Sequence, residues 1–217
     1  MEHTTPRDVH PEGRHDSHDT MGTNAMAVSA TLHCLTGCAI GEILGLMIGT
    51  ALGLGTWTTI AIAVSLAFLF GYALSTLPLL RAGLGVGAAL SIVLAADTLS
   101  IATMELVDNS VMALVPGAME AGLVNPVFWL SMMLALTVAF FAAWPVNRYL
   151  LARGKGHALT HEYHGAEPTG ARRFIPDLAT PTLVAAITAF MLGGLVVSVA
   201  DDLGAEQTSP HSAPAPR

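Results

Sequence analysis

Two cysteines and a glutamate recur at every fourth position inside a strongly apolar stretch near the start of the chain. Cys34, Cys38 and Glu42 therefore form one stripe on a helix, and both cysteines of the protein lie on that stripe. His33 precedes the first thiol directly. Thiolate sulfur is a soft ligand that selects Cu(I) or Zn. The stripe predicts either a metal-binding face or two small residues packed within a helix.

A later apolar stretch carries three acids. Asp97, Met104 and Asp108 lie within about 40° of one another on a helix that advances about 100° per residue, and Glu105 flanks them. An ionisable residue inside a membrane span costs about 2.5–3.5 kcal/mol on insertion scales, so such residues usually face the bundle interior or a watery cavity. We therefore predict that these two helices face each other and form a polar site within the membrane.

The predicted site combines soft and hard ligands. The predicted metal ligands are His33, Cys34, Cys38 and Met104, and the predicted pathway acids are Glu42, Asp97, Glu105 and Asp108. Such a set suits a pathway in which a metal ion crosses while carboxylates exchange protons. Three alternatives stay open: the cysteines pack as small hydrophobes, they form a redox pair, or the acids bond to neighbouring Ser, Thr and Asn side chains.

The composition is that of a membrane protein. The chain has 217 residues, of which 53% are hydrophobic and 12% are charged, and its mean hydropathy is +0.59. Charged residues make up about a quarter of an average soluble domain. The net charge of -7, without a Lys/Arg cluster, excludes a nucleic-acid partner. Residues 1–26 are polar where a secretory signal would have an apolar core, so no cleaved signal is expected.

Five apolar stretches predict an all-α, polytopic helical membrane bundle with about five transmembrane helices. We divide the chain into a disordered His-rich tail (1–26), a four-helix membrane core (27–153), a polar loop (154–180), a fifth transmembrane helix (181–200) and a disordered tail (201–217). Lys and Arg are concentrated after the second and fourth spans, so the positive-inside rule places the N-terminus and the polar loop in the cytoplasm. We expect a multi-pass protein of the bacterial plasma (inner) membrane.

Two further features concern metal capture and helix packing. His15 and His18, with the aspartates beside them, offer auxiliary metal ligands in the first tail; the alternative is a solvated tail without a ligand. A glycine recurs at every fourth position of the first span, at Gly37, Gly41, Gly45 and Gly49. Such a stripe of small residues lets another helix approach backbone to backbone, so it predicts close helix packing.

These features predict a transport function. We expect a small integral membrane transporter or permease for a transition-metal cation, with copper or zinc as the ion, and a homo-oligomer in the lipid bilayer because five spans are few for a complete pathway. The alternative is a non-catalytic scaffold or assembly subunit whose glycine stripe binds a partner helix. A third hypothesis is an accessory subunit of a membrane oxidoreductase that uses the two thiols. The sequence has no nucleophile-elbow, phosphate-loop or zinc-protease motif, so we expect neither an enzyme nor an organic cofactor.

Three motifs carry a family resemblance. They are TLHCLTGCAIGE from Thr31, DTLSIATME from Asp97 and AWPVN from Ala143. Through these motifs the stretch from Ala27 to His157 resembles a bacterial multi-pass membrane family known as domain of unknown function 4396. The resemblance implies a membrane protein and no established activity, so the functional prediction rests on the chemistry of the residues.

Overall fold

The computed structural model describes residues 15–153, 170–176 and 179–208 of the chain. Its five α-helices are α1 (His15–Ala51), α2 (Thr56–Arg81), α3 (Val86–Leu114), α4 (Pro126–Ala152) and α5 (Thr180–Thr208), and a short 3-10 helix (Gly170–Phe174) precedes α5. These described residues contain no strand. Each α-helix contains a segment that is long and apolar enough to cross a membrane. The predicted all-α bundle of five transmembrane helices is therefore confirmed.

The outer surface of the bundle is apolar. Leu69, Phe141 and Val197 are 59%, 64% and 69% exposed, and other large apolar side chains on every helix share this exposure. Soluble proteins rarely leave so much contiguous apolar surface in contact with water, whereas lipid tails solvate it without cost. The chain is a multi-pass membrane protein.

Two helices extend beyond the predicted spans. α1 begins at His15, inside the predicted disordered tail, and α5 continues to Thr208, beyond the predicted end of the fifth span near residue 200. Once a helix has formed, each added residue contributes one more backbone hydrogen bond, so a helix continues past the membrane boundary at little cost. The predicted disorder of residues 1–14 and 209–217, and the predicted loop at 154–169, lie outside the described residues.

Tight connections keep the first three helices adjacent. Residues 52–55 join α1 to α2 and residues 82–85 join α2 to α3. Gly53 and Gly83 adopt positive φ angles of 63° and 109°, which favour glycine and allow the chain to reverse within one turn. α1 contacts all four of the other helices, whereas α5 makes extensive contacts only with α1 and α4. The first helix is therefore the centre of the bundle.

The glycine stripe of α1 packs against α2 of the same chain. Facing residues pair in antiparallel order: Gly37 with Gly71, Gly41 with Ala67, Gly45 with Ala63, and Gly49 with Thr59. A Cβ atom added at any of the four stripe glycines would overlap atoms of α2. We call this contact the α1–α2 seam. The close helix packing predicted for the stripe is thus made within the chain, where α2 covers the surface that the scaffold alternative would offer to a partner helix.

Candidate intramembrane polar site

The polar face of α1 packs against the polar face of α3, as the sequence predicts. α2 connects α1 to α3 and runs antiparallel to both, so α1 and α3 run in the same direction. Their polar residues therefore follow one another in the same order along the contact. Three pairs of side chains meet across the contact: Cys34 with Asp97, Cys38 with Glu105, and Glu42 with Asp108. We call these six side chains the acid–thiol file. The structure therefore brings both thiols and all four predicted pathway acids into one row.

The carboxyl groups of the file are buried next to one another. Glu42, Glu105 and Asp108 are only 7%, 5% and 4% exposed. The charged neighbours of Glu42 are Asp108 and Glu105, and Asp108 is also the charged neighbour of Glu105. Three adjacent carboxylates in a medium of low dielectric constant repel one another strongly. The group must therefore hold protons to be stable.

These carboxyl groups also lack hydrogen-bond donors. Within the part of the chain that the structure describes, no donor reaches either oxygen of Glu42, either oxygen of Glu105 or Oδ1 of Asp108 at hydrogen-bonding geometry. An unsatisfied buried polar group costs about 1–3 kcal/mol, and a charged one costs more. Structural acids are normally paired, so these three carboxyls are available to a ligand or to exchangeable protons.

One end of the file opens into a cavity. The cavity has a volume of about 380 Å³ and lies between the C-terminal parts of α1 and α3, the start of α2, the α3–α4 loop and the start of α4. Glu42 and Asp108 line it. We call this cavity the vestibule. The last pair of the file is thus both buried in the protein and directly below a space that admits small solutes.

The opposite end of the file is bounded by polar residues from two other helices. Cys34 Sγ lies 3.6 Å from Ser75 Oγ of α2. Asn147 of α4 donates a 2.8 Å hydrogen bond from Nδ2 to Thr31 Oγ1 of α1, and Thr31 in turn donates to the Ala27 carbonyl at 2.7 Å. Ser75 and Asn147 were not predicted as site residues. An amide in an apolar span was the available signal for Asn147, whereas nothing in the sequence distinguishes Ser75 from other serines.

Three members of the predicted soft ligand set, His33, Cys34 and Cys38, do not form a metal centre among the described residues. The His33 ring places Nδ1 2.8 Å from the Ser29 carbonyl of its own helix, and consecutive residues such as His33 and Cys34 point about 100° apart. Met104 is buried in the same core cluster as Cys34 and Cys38. Across residues 22–153, 170–176 and 179–205, no three His, Cys, Asp or Glu side chains are close enough to hold a metal ion. The side chains of His15 and His18 lie outside the described residues.

The fold and the file together define a class: a multi-pass helical membrane protein with acids buried between two of its helices. The chain matches the family described as Domain of unknown function (DUF4396) over residues 23–156, which is more than half of its length, and it belongs to that family. The resemblance seen in its three motifs is thereby confirmed. No curated protein and no solved structure matches the chain significantly.

Proposed function

We propose that this protein transports a cation across the membrane along the acid–thiol file between α1 and α3. The observation that carries the proposal is the set of three buried carboxyls at Glu42, Glu105 and Asp108, in which five of the six oxygens meet no donor among the described residues. Ionisable groups inside a membrane span mark ion or proton pathways because their cost must be compensated by function. The cation is the cargo of the protein and not a resident cofactor.

The order of groups along the file supports a stepwise passage. An ion that enters the vestibule first meets the carboxyls of Glu42 and Asp108, then Glu105, and then the thiol of Cys38. Each carboxyl that releases a proton gains the charge needed to hold the arriving cation, so ion and proton movements are opposed. Cys38 and then Cys34 supply soft sulfur deeper in the bundle, which favours copper or zinc over alkali ions.

The proposal includes an orientation and a location. We place the N-terminus in the cytoplasm of a bacterial inner membrane, because the Lys and Arg residues follow the second and fourth spans. The vestibule lies at the C-terminal ends of α1 and α3, so in this orientation it faces away from the cytoplasm. A homo-oligomer, expected from the small number of spans, stays a prediction.

The test is ion flux in liposomes that contain the purified full-length protein and a trapped pH-sensitive dye. Cu(I) kept reduced with ascorbate, and Zn²⁺ in a separate series, are added outside, and both ion uptake and proton release are recorded. We expect uptake accompanied by proton movement in the opposite direction. Glu105→Gln, in the middle of the file, should reduce both rates by about tenfold or more because the neutral amide cannot exchange a proton.

Asp201→Asn is the matched control, because this acid near the end of α5 is exposed and lies outside the file. Its flux should equal that of the unmodified protein. Equal flux in Glu105→Gln and Asp201→Asn, or no uptake of either ion by the unmodified protein, would contradict the proposal.

A further inference from the structure

The vestibule is lined by methionines as well as by acidic residues. Met112 at the end of α3, Met119 in the α3–α4 loop and Met132 in α4 all line it, together with Glu42 and Asp108. These methionines come from three separate elements that are adjacent only in the folded bundle. The cavity is therefore lined by three methionines and by three acidic residues, Glu42, Asp108 and the exposed Glu120.

We infer that the vestibule is a binding site for a soft monovalent cation, Cu(I) in the cell, held by the thioethers of Met112, Met119 and Met132. The inference rests on the proposed transport function and adds the class of ion and the point at which the ion enters.

The chemistry of the proposed ligands indicates which ion the vestibule binds. Thioether sulfur is neutral and soft, so it binds Cu(I) and its analogue Ag(I) and holds Zn²⁺, Mg²⁺ and Ca²⁺ poorly. Neutral ligands leave the charge of the ion uncompensated, and Glu42 and Asp108 at the floor of the cavity supply the opposite charge. Both oxygens of Glu42 lack a donor among the described residues. The site therefore combines soft ligands for selectivity with a charge that draws the ion toward the file.

The position of the methionines separates this role from ordinary packing. Methionine often fills gaps in apolar cores, and Met191 of α5 is an example, since it lies in the core away from the vestibule. Met112 and Met132 are also buried, but each has one side in the cavity that contains the acids. Met119 is half-buried in the loop that borders the same cavity.

The experiment uses Ag(I), which does not change oxidation state, as the probe for the purified full-length protein. Binding is measured by titration and by the silver content after gel filtration, in parallel with Ag(I) uptake into liposomes. The test variant is Met112→Leu/Met119→Leu/Met132→Leu, and the control is Met47→Leu/Met133→Leu/Met191→Leu. Leucine conserves volume and removes sulfur, so both variants should fold. We expect Ag(I) affinity to fall about tenfold or more in the test variant only.

Retention of full affinity in the test variant, or a loss confined to Cys34→Ser/Cys38→Ser, would overturn the inference. If the triple variant fails to fold, Met119→Leu replaces it, because this loop residue is only half-buried, whereas Met112 and Met132 are fully buried. X-ray absorption of the Cu(I)-loaded Cys34→Ser/Cys38→Ser protein should still show sulfur ligands, and its absence would also overturn the inference. Vestibule binding without uptake would reject the transport proposal alone, whereas uptake unaffected by the methionine changes would reject the vestibule site alone.

Discussion

The two faces of α1 make opposite kinds of contact with neighbouring helices. On the α1–α2 seam, small residues meet small residues and backbone approaches backbone, so packing is complete. On the α1–α3 face, thiols and carboxyls meet, and among the described residues both oxygens of Glu42 and Glu105 and one oxygen of Asp108 are left without donors. Selection for stability alone would have removed these acids. We conclude that the seam provides the rigid support and that the file provides the function.

The largest effect should come from the seam. Gly41→Ala places a Cβ on the backbone of Ala67, which cannot move without separating α1 from α2. We expect a loss of about 1–3 kcal/mol in the free energy of unfolding, as for other overpacked cores. The readout is the thermal unfolding midpoint in detergent.

Gly193→Ala in α5 is the control for this experiment. A Cβ at Gly193 meets no atom within 4 Å, so its midpoint should be unchanged or slightly higher. Equal midpoints for the two variants would show that the close approach at the seam does not limit stability.

A substitution in the acid–thiol file should raise the stability of the protein instead of lowering it. Glu42→Gln removes a buried acid that has two acidic neighbours, so it relieves repulsion while keeping the size of the side chain. We expect stability to rise by about 1 kcal/mol even though transport is lost, as is common when a functional group is removed. Glu120→Gln, an exposed acid that lines the same vestibule, should leave the unfolding midpoint unchanged. A strong destabilisation by Glu42→Gln would instead assign this acid a structural role.

The smallest effect concerns the polar end of the bundle. Asn147→Ala removes the buried hydrogen bond from α4 to Thr31, and bonds of this kind between membrane helices contribute about 0.6 kcal/mol. Unfolding in a denaturing detergent should detect this loss. Thr137→Ala removes only a bond to the Met133 carbonyl of its own helix, so it should have no measurable effect. A loss as large as that of Gly41→Ala would move the structural centre from the seam to this end.

The bundle and the file could be predicted largely from sequence, because both depend on helical periodicity. Cys34, Cys38 and Glu42 repeat at a spacing of four, and Asp97 and Asp108 share one face of α3, so each half of the site is visible in a single helix. Their burial, at 0% exposure for Cys34 and 2% for Asp97, follows from the cost of exposing such groups to lipid.

The remaining features depend on which elements meet in space. The partner of the glycine stripe was left open because the stripe fits any helix with small residues, and α2 provides them at Ala63, Ala67 and Gly71. The vestibule could not be predicted because Met112, Met119 and Met132 show no common periodicity. We predicted that His33 groups with the thiols because it is adjacent to Cys34 in the sequence, but adjacent residues of a helix point in different directions.

The most direct test of a transport role for the buried acids replaces Glu42, Glu105 and Asp108 in one protein, Glu42→Gln/Glu105→Gln/Asp108→Asn, and measures unfolding and Cu(I) uptake on the same preparation. We expect a protein that is at least as stable as the unmodified chain and that has lost uptake and the opposing proton movement. A protein that unfolds at a much lower temperature, or one that still takes up Cu(I) at the original rate, would contradict the claim that these acids serve transport and not the fold.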